Sequence, residues 1–255
     1  MDNTQIPNDK PMFEAPHDVI ELPSRGLFYP HKKGRIKVGY LTAQDENILT
    51  SPNLLTSGKV LDVLLERKIL DKDIKADDLL PGDRNAILFF LRATGYGEMY
   101  PIILTDPKTG QEFNYEVDLS KLEEKPIFAE PDENGEVEFL LPRSGSKVKF
   151  KLLTAAETAR ITENEEARMK KTKSNISNLM TSKLEAQLTE VDGVRSRAEI
   201  LQFIQYMSVA DSSALRKYMN EVEPGLDETI EVTAPSGSIF RTEIPITLNF
   251  FWPYL

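Results

Sequence analysis

Ile36-Lys37-Val38-Gly39-Tyr40-Leu41-Thr42-Ala43-Gln44-Asp45-Glu46 decides how this chain of 255 residues is read. Ile36, Val38 and Tyr40 alternate with Lys37 and Gly39, the period of a half-buried strand. Thr42 then stands at an N-cap position, and Asp45 and Glu46 fall in the first turn of a helix. A threonine hydroxyl there takes a free N–H, and carboxylates favour the positive end of the helix dipole. The chain repeats the pattern in Lys147-Val148-Lys149-Phe150-Lys151-Leu152-Leu153-Thr154-Ala155-Ala156-Glu157, at an offset of 112 residues.

Working outward, further words match in the same order. Leu22-Pro23 precedes the first copy and Leu141-Pro142 the second; Ile87-Leu88 matches Ile200-Leu201, and Phe90 matches Phe203. Thr105 and Pro107 match Thr233 and Pro235, and Phe113 with Glu116-Val117 matches Phe240 with Glu243-Ile244. The order is Leu-Pro, strand, Leu-Thr-Ala helix, apolar helix, hairpin. It predicts an α+β fold of two similar halves from an internal duplication, each packing helices on a small antiparallel sheet. The boundaries follow: an extended arm over 1–21, a first half over 22–120, and a Glu/Pro-rich linker over 121–138. A second half with a long helix spans 139–248, and an aromatic tail spans 249–255.

Within the first half the pattern predicts helices over 43–50, 59–69 and 83–94, the last capped by Asp83, and strands over 100–105 and 111–119. Within the second, an unbroken helical pattern is read from Thr154 to Val191, followed by helices over 198–207 and 213–221 and strands over 229–233 and 239–246. Ile176, Met180, Leu184 and Leu188, four apart, form one apolar stripe on the long helix. The first 21 residues, with Pro7, Pro11 and Pro16, read as an arm that is mobile or laid on a partner.

Composition narrows function. The formal charge is −10 and the pI about 4.9, against unaided nucleic-acid binding, which needs cations to displace phosphate counterions. The absence of cysteine removes disulfides, thiolate catalysis and Cys-ligated zinc, and fits a reducing cytoplasm. The polar start reads as no secretory signal, and the longest apolar run, Ala86 to Leu91, is too short to span a bilayer.

Motifs for chemistry fail on inspection. Gly95-Tyr96-Gly97 closes a helix, so the dipole faces a phosphate the wrong way. Ser146-Lys147-Val148-Lys149 and Lys108-Thr109-Gly110 fit words of penicillin-recognising enzymes, but in the wrong order and without the third element. His17 and His31 lie in polar segments without metal-ligand spacing. The acid pairs Asp77-Asp78, Glu123-Glu124 and Glu165-Glu166 read as solvated faces, not as two acids on one bond. No catalytic, cofactor or metal residue is assigned. What remains are surfaces for protein: Ile176, Met180, Leu184 and Leu188, and the aromatics Phe250, Phe251, Trp252 and Tyr254. Those aromatics either close the chain's own core or anchor in a partner pocket.

Several ordered words resemble the baseplate proteins of T-even-like contractile-tailed bacteriophages. They are Leu22 to Tyr29, Leu41 to Glu46, Leu79-Leu80-Pro81-Gly82-Asp83-Arg84, Leu91 to Gly97, Val117-Asp118-Leu119-Ser120 and the terminal Phe250-Phe251-Trp252-Pro253. That family includes the central hub subunit and a related hub assembly factor. The resemblance implies a structural virion protein of the baseplate hub, assembled in the bacterial cytoplasm and acting through contacts with hub, wedge or tape-measure proteins. It implies no reaction, no cofactor, no nucleic acid and no membrane insertion. The alternative it leaves open is an assembly chaperone that holds a tail protein and is not incorporated. Relatives place two cysteines in the turn equivalent to residues 106–110; Asp106 and Lys108 stand there in this chain, so no metal is expected.

Overall fold

A computed structural model describes residues 16–246 and 248–251. Among these, eight α-helices and four small antiparallel sheets make an α+β fold. In the first half β1 (His17–Glu21) pairs with β2 (Arg35–Gly39), with His17 opposite Gly39. Then come α1 (Ala43–Leu49), α2 (Pro52–Ser57), α3 (Val60–Lys68) and α4 (Pro81–Tyr96). The half ends in a hairpin of β3 (Met99–Thr105) and β4 (Glu112–Asp118).

The second half follows a similar course. β5 (Val137–Leu140) pairs with β6 (Lys147–Phe150), and α5 (Ala155–Thr172) and α6 (Leu179–Gln187) lead to β7 (Leu188–Val191) on the far side of β6. After α7 (Arg197–Tyr206) and α8 (Val209–Val222), β8 (Thr229–Thr233) and β9 (Ile239–Glu243) form a hairpin.

The parallels extend to single bonds. The Leu22 amide donates to Gly34 O at 2.7 Å, closing the β1–β2 loop, and the Leu141 amide donates to Ser146 O at 2.9 Å, closing the β5–β6 loop. After α3 the chain returns to β2, where Ile69 bridges Val38; after α6 it returns to β6 as β7, where Leu188 faces Phe150. In the two hairpins Leu104 faces Phe113 and Val232 faces Phe240, and the two phenylalanines meet edge-on at 6.5 Å.

The two cap threonines behave differently. Thr154 Oγ1 accepts from the Glu157 amide at 3.2 Å, and Glu157 Oε2 accepts from the Thr154 amide at 3.0 Å, a complete capping box. In the first half Asp45 accepts from the Thr42 amide at 2.7 Å, but the Thr42 hydroxyl also donates to Asp45, at 2.8 Å. Asp45 also pairs with the buried Lys68 at the end of α3, which ties the start of α1 to α3.

One hydrophobic core runs through both halves, from Leu22, Ile36 and Leu64 to Val148, Phe150 and Leu215. Burying each such side chain contributes about 1.5–3 kcal/mol. Residues 121–138 are stitched to the chain beyond α8: the Lys125 amide donates to Gly225 O at 2.9 Å, and the Asp227 amide to Glu123 O at 2.8 Å. At Gly82 a β-carbon would lie 1.9 Å from Pro224 O, so the first turn of α4 rests directly on the Pro224–Gly225 turn.

Three expectations are corrected. Residues 17–21 of the expected arm are a strand on β2; residues 1–15 lie outside the described residues. Asp83 does not cap a helix, because α4 begins at Pro81, a residue suited to a first turn that lacks amide partners. Between the first two expected helices lies a further short helix, α2, opened by Pro52. The helix read from 154 to 191 is two helices, a linking elbow and a strand, for reasons set out next.

Candidate functional site

The elbow between α5 and α6 is built by side chains that compete with the helix. Lys173 adopts the left-handed conformation, φ 50°, at the end of α5. Ser174 Oγ accepts from the Ile176 amide at 3.1 Å and Ser177 Oγ from the Leu179 amide at 3.2 Å, local bonds that displace helical ones. Glu165, buried on α5, accepts from Arg168 Nε at 2.8 Å and Nη2 at 2.7 Å, and from the Asn178 amide. Arg168 Nη2 also donates to Ile176 O at 2.7 Å, so one ion pair ties both arms of the elbow. The Arg168 guanidinium, with the Asn178 amide, holds the Glu165 carboxyl down to about 2.

The apolar stripe is thereby divided. Ile176 stands on the elbow, 74% exposed, and Met180 follows on α6, 52% exposed. Leu184 is buried on α6, and Leu188 is buried at the start of β7. Met180 and Leu184 line a groove of about 510 Å³ between α6, α8 and the strand-to-helix turn at the second Leu-Thr-Ala word. Leu152, Leu153, Leu184 and Met219 give it an apolar floor; Lys183, Arg216 and Glu223 stand on its walls. Burial pushes the Glu223 carboxyl up, and the charges of Lys125 and Lys183 offset part of that. Pro81 of α4 closes one end, so both halves contribute to the groove.

Its setting is basic. From Arg168 to Lys183 the chain carries five cations and no acid, although acids outnumber bases 41 to 31 overall. Arg168 is committed to Glu165, whereas Lys170, Lys171 and Lys173 are exposed and make no ion pair among the described residues.

The aromatic end is placed elsewhere. Phe250 and Phe251 are 0% exposed, inside the chain's own core. Phe250 meets the ring of Phe89 edge-on at 5.2 Å and that of Tyr100 at 4.9 Å, both in the first half. Trp252 and Tyr254 lie outside the described residues.

Other residues singled out in the sequence are structural in their contacts. Asp106, in the hairpin turn, accepts from the Lys108 amide at 2.8 Å, the Ser238 hydroxyl at 3.1 Å and the Ser236 amide at 3.3 Å. Against the pull of desolvation, these bonds hold its carboxyl well below the usual range and tie the two hairpin tips together. Among the described residues no group of three or more His, Asp or Glu could hold a metal ion, and no helix is long and apolar enough to cross a membrane. Periodicity found Met180 and Leu184; Leu152, Leu153 and Met219 carried no signal as groove residues, because they come from separate elements.

No curated protein and no solved structure shows significant similarity to the chain. A family model described as T4 bacteriophage base plate protein matches residues 24–252, which takes in both halves, the groove and the buried Phe250–Phe251 pair. The chain therefore belongs to the T4 bacteriophage base plate protein family.

Proposed function

We propose that this baseplate protein is a structural component of the hub region of a contractile tail, acting through protein–protein contacts in tail assembly and catalysing no reaction. The observation that carries the reading is the family match joined to an apolar groove with an exposed lip at Met180, preceded on the elbow by the exposed Ile176. Its partners are other hub, wedge or tape-measure proteins, met in the bacterial cytoplasm and retained in the virion tail. Leu184 and Leu188 act as the buried support of the contact, and the tail beyond Phe251 is a second candidate surface.

The two halves descend from an internal duplication. Support comes from the paired Leu22 and Leu141 bonds, the strand-returning segments at Ile69 and Leu188, and the matching hairpins. The apolar helix of the first half, α4, corresponds to α8 rather than to the α7 suggested by Ile200-Leu201. Both lead into the hairpin, and both bury Ile87 or Leu215 and Leu91 or Met219 at the hairpin's own offset of 128.

Mass spectrometry of purified particles tests the role. The chain is expected in mature virions at baseplate stoichiometry. Its presence on assembly intermediates but not on virions would replace the structural reading with that of a released assembly chaperone.

A further inference from the structure

We propose that the groove between α6 and α8 takes an acidic amphipathic helix from another tail protein, gripped by the lysines of the α5–α6 elbow. The inference rests on the reading of the chain as a protein-binding baseplate component and names the chemistry of the partner. Three observations carry it. The floor at Leu152, Leu153, Leu184 and Met219 is apolar, and Met180 adds an exposed apolar edge; Ile176 is exposed on the elbow that leads into α6. A helix reaches such a surface with apolar residues three and four apart.

The second observation is charge. Lys170, Lys171 and Lys173 face solvent without an acidic partner among the described residues, and Lys183 and Arg216 stand on the groove wall. Arg216 Nε donates to Ser212 O at 3.2 Å, and among the described residues Arg216 makes no ion pair. In a chain of net charge −10 the acid-free run from Arg168 to Lys183 and the cations on the groove wall are the exception, and acids on the partner complement them. Glu223, the one acid lining the groove, faces Lys183 and Lys125.

The third observation separates protein from nucleic acid. Sequence-tolerant binding of single strands uses aromatic faces on which bases stack. Among the described residues that line the groove none is aromatic, and its thioether and branched aliphatic side chains suit helix ridges instead.

The probe is a synthetic, dye-labelled helical peptide of about 18 residues, roughly 27 Å long. It carries leucines at helical spacing and glutamates on the flanking positions. Fluorescence anisotropy with the full chain is expected to show saturable binding that weakens as salt rises. Exchanging the peptide's glutamates for lysines is expected to weaken binding by about tenfold or more, and K170E/K171E/K173E to do the same with an unchanged melting temperature. Met180→Glu, on the exposed lip, is expected to weaken it comparably.

Equal binding of the acidic and basic peptides would overturn the proposal. So would an unaffected triple variant, or a poly-dT oligonucleotide that displaces the acidic peptide. A chain that is present in virions but ignores the acidic peptide sinks the groove assignment alone. A chain that binds the peptide but is missing from virions sinks the structural role alone.

Discussion

Asp83 and Asp211 hold the same place in their respective halves, yet their carboxyls are pushed in opposite directions. Each is the third residue of a helix that leads into a hairpin, each is buried, and each reaches the loop after the first strand of its half. Asp83 accepts from the Ser24 amide at 2.9 Å and the Tyr29 hydroxyl at 2.5 Å. Burial pushes its carboxyl up, the bonds from Ser24 and Tyr29 offset only part of that, and the charge of neighbouring Glu124 adds to the rise. Asp211 accepts from the Arg143 amide at 2.8 Å, the Ser144 amide at 3.2 Å and the Ser208 hydroxyl at 3.0 Å. Desolvation pulls there too, but the donors outweigh it and hold the carboxyl below its ordinary value. The backbone places the aspartates alike, and the balance of desolvation against donors sets the direction of each shift. Leu80 before α4 offers no hydroxyl, whereas Ser208 before α8 does.

The largest break between the halves is expected from Phe250→Ala. Phe250 lies late in the chain but fills the core of the first half against Phe89 and Tyr100. Its loss is expected to cost about 3–5 kcal/mol in urea unfolding. A single transition shifted as a whole would show that the halves unfold together; a new early phase would show that the first half unfolds alone.

The next contrast is Gly82 against Ala210, the second residues of α4 and α8. Gly82→Ala drives a β-carbon into Pro224 O and is expected to destabilise by about 1–3 kcal/mol. Ala210 is exposed, and Ala210→Gly is expected to cost no more than about 1 kcal/mol, from helix propensity alone. Equal losses would remove the Pro224 contact as the reason for the glycine. The capping boxes come third: Thr154→Ala is expected to cost about 1 kcal/mol by thermal melting.

The smallest effects are differences of slope with pH. Because the folded-state value of Asp83 is raised, its stabilising contribution is complete below an ordinary carboxyl value near 3.8. It is lost as pH rises through the raised value. The penalty of Asp83→Asn should therefore shrink between pH 4 and 7. Asp211 is depressed, so its contribution is present above about 3.8 and lost as pH falls through the lower folded value. The penalty of Asp211→Asn should grow as pH rises from 2 to 5. Unfolding midpoints of both variants across pH 2–7 check the crossing; parallel profiles would erase the distinction between the two sites.

The parts of the fold legible in the sequence are those whose cause is local. The hairpins are marked by alternation around Pro107 and Pro235, and the repeated Leu-Thr-Ala word marks two helix starts. The elbow is not marked, since residues 154–191 contain neither Gly nor Pro. The break depends on Glu165 reaching thirteen residues ahead to Asn178 and on serine side chains binding their own backbone. The likeness of α4 to α8 was hard to see because Ile87-Leu88 and Ile200-Leu201 match as a two-residue word, whereas Asp83 and Asp211 match as single residues. Of the groove, the lip at Met180 stood on the apolar stripe read from helical spacing. Its floor was not, because Leu152, Leu184 and Met219 become neighbours only when the elements pack.

The contact that closes the first half sets a timetable. Tyr100 donates its hydroxyl to Pro245 O at 3.1 Å, across 145 residues, and Phe250 follows close behind. At about 5–20 residues per second, a ribosome reaches these residues roughly 7–30 s after it has made Tyr100. During that interval Phe89 and Tyr100 have no ring to close on. A message truncated ahead of Phe250 would thus release a first half that is fully translated but uncovered, and host proteases would meet it before any baseplate did.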